Sequence, residues 1–110
     1  MICVVGDAFF HDDVHAEVGD SVTIYCHRSD SKSVMWHYRN SQETSVTAHD
    51  VFDGHHLVNG YENKCAINNS TYALTIMEVE VADAGEYWCT EDEGFGSKHI
   101  TELFVTSRLA

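Results

Sequence analysis

Four cysteines, at positions 3, 26, 65 and 89, are the residues whose type and number most clearly indicate a chemistry in this 110-residue chain. An even number of cysteines in a small chain of short predicted strands indicates an oxidising compartment, where thiols pair as disulfides. Spacing alone permits three pairings. Zinc binding is disfavoured because no Cys-x2-Cys motif or closely spaced histidine pair accompanies the cysteines.

Histidines and carboxylates offer a second chemistry, that of a metal site. His11, Asp13 and His15 would share one face of a strand, and His55-His56 lies close to Asp53. Each group supplies only part of the three or four convergent donors that a metal needs, so we expect no metal and no cofactor. No Gly-x-Ser-x-Gly turn, phosphate-binding loop or recognisable pair of catalytic carboxylates occurs, and we expect no enzymatic activity.

Composition limits the partners. The chain is 44% apolar and carries 18 acidic against 6 basic residues, which predicts one globular domain over residues 1–110. A formal charge of −12 disfavours nucleic acid, whose phosphates require Lys and Arg. The longest apolar run falls far short of the roughly 20 residues that cross a bilayer, so membrane attachment would need segments outside this chain.

Alternation of apolar and polar residues with period two predicts an all-β fold. In residues 34–39, Val34, Trp36 and Tyr38 share one face, whereas the other three residues share the opposite face. Residues 21–26, 72–76 and 101–105 alternate in the same way, and turn signals such as Asp53-Gly54 and Asn59-Gly60 separate the segments. The predicted core includes Ile24, Trp36 and Leu74.

Three motifs together resemble the immunoglobulin superfamily. They are residues 19–26, which end in Cys26, then Trp36 ten residues later, and Asp83-x-Gly85-x-Tyr87-x-Cys89. The resemblance covers Glu17 to Val105 and implies a two-sheet immunoglobulin V-type sandwich. It also implies a Cys26–Cys89 disulfide packed against Trp36, and a core position for Tyr87.

Further expectations follow from this resemblance. The long interval after Trp36 is similar to the additional edge strands of a variable-type (V-set) domain. Such domains commonly pair the aspartate of the Asp83-x-Gly85 motif with a basic residue, for which Lys64 is the nearby candidate. Cys3 and Cys65 remain open between an intramolecular bridge, free thiols and intermolecular bridges, and strand spacing disfavours a direct bridge.

The resemblance also implies a partner-binding surface. It turns Met35, His37 and Arg39 outward on one strand and Trp88 outward on another, in the front sheet that commonly binds a ligand or a second V domain. An outward Trp beside Met and Arg has the composition of an interface hot spot. The alternative is that Trp88 is covered by Phe95 or Phe104 of the same chain.

Three end loops, at residues 27–33, 48–55 and 90–97, correspond to the variable loops of the family. The third contains Glu91, Asp92 and Glu93, which would favour a basic partner or form a solvated acidic turn. Phe95-Gly96 resembles the start of the antigen-receptor joining motif, but Lys98 replaces the second glycine of that motif. This departure disfavours a rearranging receptor.

Among non-rearranging members, the chain is similar to the novel immune-type receptors of bony fish and to the polymeric-immunoglobulin-receptor-like group. The sequence has no additional cysteine pair that would link the Trp36 strand to its neighbour, which disfavours the second group. We therefore expect the extracellular, ligand-recognising part of a plasma-membrane innate immune receptor that binds a protein or another V domain, including as a homodimer. The alternative is a homophilic adhesion module of the same fold. Asn68 and Asn69 begin overlapping glycosylation sequons in a predicted turn.

Overall fold

The computed structural model describes residues 9–26, 34–40, 48–91 and 95–107, without the side chains of residues 9–11, 91 and 95–99. In this part of the chain the strands are β1 Phe9–Glu17, β2 Val22–Ile24, β3 Val34–Asn40, β4 His49–Phe52, β5 Cys65–Ile67, β6 Leu74–Ile76, β7 Gly85–Glu91 and β8 Phe95–Thr106. A single 3-10 turn, Val81–Asp83, precedes β7. No helix in the described ranges has the length and hydrophobicity needed to span a bilayer.

The strands form two sheets. One has five strands in the order β1-β8-β7-β3-β4, and the other has three in the order β2-β6-β5. β1 runs parallel to β8, and every other pairing in the two sheets is antiparallel. This arrangement confirms the two-sheet V-type sandwich, and β4 supplies an additional edge strand beyond β3.

The core fills the space between the sheets with the inward residues of each strand. On β3, Val34, Trp36 and Tyr38 are buried and the intervening residues are half-buried, as the period of two requires. The largest fully buried side chains are Trp36, Ile24, Leu74, Ile76, Leu103, Val34, Val51 and Val79. Tyr87 is also buried, at 4% exposure.

A disulfide between Cys26 and Cys89 joins the two sheets across this core. Trp36 is 1% exposed, and its indole N–H donates to the carbonyl of Tyr72 at 2.8 Å, which satisfies its only polar atom. The bridge closes a loop with a sequence separation of 63, so the chain-entropy model assigns it about 4 kcal/mol.

Asp83 joins three segments at one corner of the sandwich. The Tyr87 hydroxyl donates to the backbone carbonyl of Asp83 at 2.6 Å, which is the arrangement of a tyrosine corner. The Asp83 carboxylate lies 2.8 Å from the Lys64 ammonium, which also donates to the carbonyl of Glu78 at 2.8 Å. The structure therefore contains the Lys64–Asp83 pair that the family resemblance raised as a candidate.

Gly85 follows this corner and has no tolerated replacement on steric grounds. Its φ is +147°, and a Cβ there would lie against the carbonyl oxygen of Arg39 and 2.9 Å from Cε1 of Tyr38. Glycine alone permits this approach of β7 to β3, because it has no side chain.

Cys65 at the start of β5 is a free, buried thiol. Burial, with a smaller effect from the charge of Asp83, raises the pKa of Cys65 to about 11. Cys3 lies outside the described residues, so the predicted alternatives for its pairing stay untested.

Candidate recognition surface

The candidate surface is the outer face of the five-stranded sheet. Met35, His37 and Arg39 point outward from β3 and are half-buried. Each lies opposite an outward residue of β7 in the antiparallel register, in the pairs Met35–Thr90, His37–Trp88 and Arg39–Glu86. We call these six residues, together with Asp50 of β4, the recognition face.

His37 is the centre of the recognition face. Its Nδ1 lies 3.0 Å from the Asp50 carboxylate on β4, and its Nε2 lies 2.9 Å from the Thr90 hydroxyl on β7. Both ring nitrogens therefore have partners, and the histidine links three adjacent strands. These two hydrogen bonds fix the orientation of the ring.

Trp88 stacks on the fixed histidine. The ring centroids of His37 and Trp88 are 5.5 Å apart with an interplanar angle of 25°. Trp88 is half-buried, so part of its indole surface is covered by neighbours and part faces solvent. A large aromatic ring held in one orientation loses little side-chain entropy when a partner covers it.

Arg39 and Glu86 flank the aromatic pair. They form an ion pair across β3 and β7, and their side chains are 38% and 23% exposed. Glu86 lies opposite Glu102 of β8, so the acidic side chains extend towards β8.

A second aromatic pair lies at the β1–β8 edge of the same sheet. The rings of His15 and Phe104 stack with centroids 4.8 Å apart, and Phe104 remains 37% exposed. Phe104, one of the two residues that the alternative interpretation placed over Trp88, therefore packs against His15. This pair extends the apolar character of the outer face to the edge of the sheet.

Two other candidate residues, Glu91 and Phe95, lie where β7 meets β8. Glu91 ends β7, with its backbone opposite Val34 and Phe95, and Phe95 begins β8. The side chains of Glu91 and Phe95 are not described, and Asp92 lies outside the described residues. The structure brings Met35, His37, Arg39 and Trp88 together, and the role of the other three stays a prediction.

The expectation of an end loop at residues 48–55 is wrong for half of that segment. His49–Phe52 forms β4, because it pairs with β3 through a register shift next to His37. Only Asp53 and the residues after it turn, where the Asp53 carboxylate accepts the backbone N–H groups of His55 and His56. These hydrogen bonds, led by that of His56, lower the pKa of Asp53. The loop at 27–33 lies outside the described residues.

Sequence reasoning missed Asp50 as part of the surface. A four-residue strand with the burial order exposed, exposed, buried, buried does not alternate, because the register shift places Val51 and Phe52 both inside. The sequence indicates only that Asp50 is an acidic residue next to His49 and close to His55-His56. Among the described side chains, no cluster of three or more His, Cys, Asp or Glu is arranged to hold a metal ion.

The two sheets include residues from most of the chain. A disulfide joins them, and they enclose the buried Trp36 and the tyrosine corner of Tyr87. Residues 11–106 match the family model of the immunoglobulin V-set domain. The chain belongs to the immunoglobulin V-set family. A search of curated proteins gave no significant match.

Among solved structures, this V-set domain is similar to the extracellular domain of the voltage-gated sodium channel beta4 subunit. The two superpose with a TM-score of 0.66 at 17% sequence identity, over 99% of each chain. The beta4 domain is described as a parallel homodimer that explains a role in cell–cell adhesion. At this identity the likeness establishes the fold of the V-set domain.

Proposed function

We propose that this V-set domain is the extracellular ligand-recognition domain of a cell-surface receptor of the innate immune type, and that it binds a protein partner through the recognition face. The observation that carries the proposal is the stack of Trp88 on His37, which is fixed by Asp50 and Thr90. A fixed, part-exposed tryptophan is the residue type most enriched at the centres of protein interfaces.

The surrounding charges support a partner with a basic contact group. Glu86 and Glu102 lie in register on adjacent strands, and the whole chain has a formal charge of −12. Long-range attraction would therefore speed association with a positively charged protein surface and weaken as salt rises. V-set domains are typically binding modules, and this proposal includes no catalytic step.

Tetramers of the domain test this proposal by staining a panel of living cells. We expect wild-type tetramers to stain at least one cell type, and Trp88→Ala tetramers to lose at least ten-fold of that binding. Tyr25→Ala is the matched control, because Tyr25 is a 62% exposed aromatic residue following β2 of the other sheet. Equal staining by wild type and Trp88→Ala would contradict the proposal.

A second candidate function is homophilic adhesion, which the adhesive homodimer reported for the beta4 domain favours. Sedimentation equilibrium over a wide concentration range, with and without reductant, distinguishes the two. Adhesion predicts a dimer that Trp88→Ala abolishes, whereas a dimer lost only on reduction would indicate bridging through Cys3, because Cys65 is a buried thiol. A monomer at every concentration, with and without reductant, would contradict homophilic adhesion in solution and leave binding of a different protein as the proposed function.

A further inference from the structure

The hairpin between β5 and β6 contains two N-glycosylation sequons that overlap. One is Asn68-Asn69-Ser70 and the other is Asn69-Ser70-Thr71. All four residues are exposed. The sequence treats both asparagines alike, but the structure gives their side chains different surroundings.

The side chain of Asn68 holds the hairpin together. Its Oδ1 accepts the backbone N–H groups of Ser70 at 2.7 Å and Thr71 at 2.8 Å, which occupies both lone pairs of the oxygen. Its own N–H donates to the carbonyl of Ala73 at 3.0 Å, and its carbonyl accepts from Tyr72 at 2.7 Å. Asn68 is therefore the residue that closes this turn.

A sugar on Asn68 would crowd those hydrogen bonds. Glycosylation converts the carboxamide to a secondary amide, which strongly prefers the trans form. In that form the anomeric carbon lies on the same side of the C–N bond as Oδ1. The sugar ring would then stand where the Ser70 and Thr71 N–H groups approach.

Asn69 lacks this conflict. Its side chain is exposed at the tip of the hairpin, and it makes no hydrogen bond with any other described residue. A sugar attached to its amide nitrogen would extend into solvent and leave the turn intact. Exposed loop tips tolerate such additions best.

The Cys26–Cys89 disulfide supplies an independent argument about the compartment. A disulfide across the core indicates folding in the oxidising lumen of the secretory pathway. Asparagine-linked sugars are added to chains in that same lumen. The chain therefore passes through the compartment where the modification occurs.

We propose that Asn69 is N-glycosylated and that Asn68 is the unmodified residue that closes the hairpin. In the transfer, the amide nitrogen of Asn69 forms a bond to the anomeric carbon of a lipid-linked oligosaccharide. The bond from that carbon to the lipid diphosphate breaks, the diphosphate leaves with the electron pair, and the amide loses one proton to a base. Nothing is oxidised or reduced.

The proposed sugar lies on the hairpin of the three-stranded sheet, whereas the recognition face lies on the five-stranded sheet. The hairpin follows β5, which is an edge strand of the three-stranded sheet as described. A glycan there would shield an open strand edge from pairing with other chains. The recognition face lies on the five-stranded sheet and stays accessible.

The test uses the full chain secreted from eukaryotic cells behind a cleavable leader. We expect one enzymatically removable glycan on wild type and none on Asn69→Gln. Asn68→Asp is the matched control, because it destroys only the first sequon and retains an acceptor oxygen for Ser70 and Thr71. It should keep the glycan. Enzymatic release in heavy-oxygen water should place the isotope label on residue 69.

Substitutions of the hydroxyl residues repeat the test without changing either asparagine. Ser70→Ala removes only the sequon of Asn68 and should keep the glycan, whereas Thr71→Val removes only the sequon of Asn69 and should lose it. An unglycosylated wild-type chain, two glycans, or an isotope label on residue 68 would each overturn the proposal. So would a glycan that survives Asn69→Gln.

Discussion

The corner built around Asp83 and the recognition face built around His37 use similar side chains for different purposes. At the corner, polar groups satisfy one another among buried residues, as where the buried Tyr87 donates to the Asp83 carbonyl at 2.6 Å. On the recognition face, His37 and Trp88 are half-buried and held by neighbours on adjacent strands.

Because of this difference, we expect substitutions at the corner to affect stability and substitutions on the recognition face to affect partner binding. Breaking the corner removes the partners of polar side chains that are 20% to 25% exposed and lie beside the buried ring of Tyr87, which costs stability directly. Altering the recognition face removes contacts that are already partly solvated, so the fold should lose little while partner binding loses much. Substitutions at the corner should therefore lower the free energy of unfolding more than substitutions on the recognition face do.

Replacing Gly85 should produce the largest loss. Gly85→Ala places a Cβ against the carbonyl of Arg39 at a φ of +147°, so we expect the free energy of unfolding to fall by about 3 kcal/mol or more. Gly19→Ala is the control, because Gly19 has a φ of +99° but nothing within 4 Å of the added carbon. It should cost about 1 kcal/mol. Urea denaturation measures both, and equal losses would show that strain, rather than overlap, governs Gly85.

Removing the Asp83 carboxylate should come next. Asp83→Ala deletes the partner of Lys64 at 2.8 Å and the acceptor for the backbone N–H of Glu80 at 2.8 Å, for an expected loss of about 2 kcal/mol. Asp50→Ala on the recognition face should cost less than about 1 kcal/mol, because that carboxylate is 55% exposed. Thermal unfolding of the two variants compares the regions directly, and a larger loss for Asp50→Ala would reverse the contrast.

Trp88→Ala should separate stability from binding. The substitution removes the stack on His37 and a ring whose larger part is covered by neighbours, so the free energy of unfolding should fall by about 2 kcal/mol. Binding to the partner should weaken by about 2 kcal/mol or more, which is roughly 30-fold. Denaturation and binding titrations on one preparation check this. A loss of stability as large as that of Gly85→Ala would mean that Trp88 serves the fold.

Cys65 should be almost inert in the folded domain. With a pKa of about 11 and 4% exposure, about one thiol in a thousand is ionised at pH 8. Alkylation followed by mass spectrometry should therefore modify Cys65 slowly in buffer and rapidly in urea. Because folding raises this pKa, stability should fall as pH rises from about 9 towards 11. Rapid native labelling would contradict the buried thiol.

The sequence predicted the positions of the disulfide cysteines, Trp36 and Tyr87 well, because these residues are stable only in the core between the two sheets. The resemblance to the immunoglobulin superfamily places Trp36 and Tyr87 between the two sheets, and the structure buries both rings. Alternation on β3 also predicted which of its residues point outward. These are local signals that the tertiary structure reinforces.

The same reasoning could not predict how the recognition face is assembled. The contact of His37 with Asp50 depends on a register shift between β3 and β4, which leaves no periodic signal in a four-residue strand. The stack of His15 on Phe104 depends on the parallel pairing of β1 with β8, which joins residues far apart in sequence. Such pairings follow from the whole fold.

Hydroxyl-radical footprinting of the domain, free and in complex with a partner isolated from the cells that its tetramers stain, shows whether the partner covers the recognition face. It needs no substitution and reports the side chains that a partner covers. The account predicts that Trp88 and Met35 become protected on binding, while Tyr25 outside the recognition face stays as reactive as in the free domain. Protection of Tyr25 with unchanged Trp88 would contradict it.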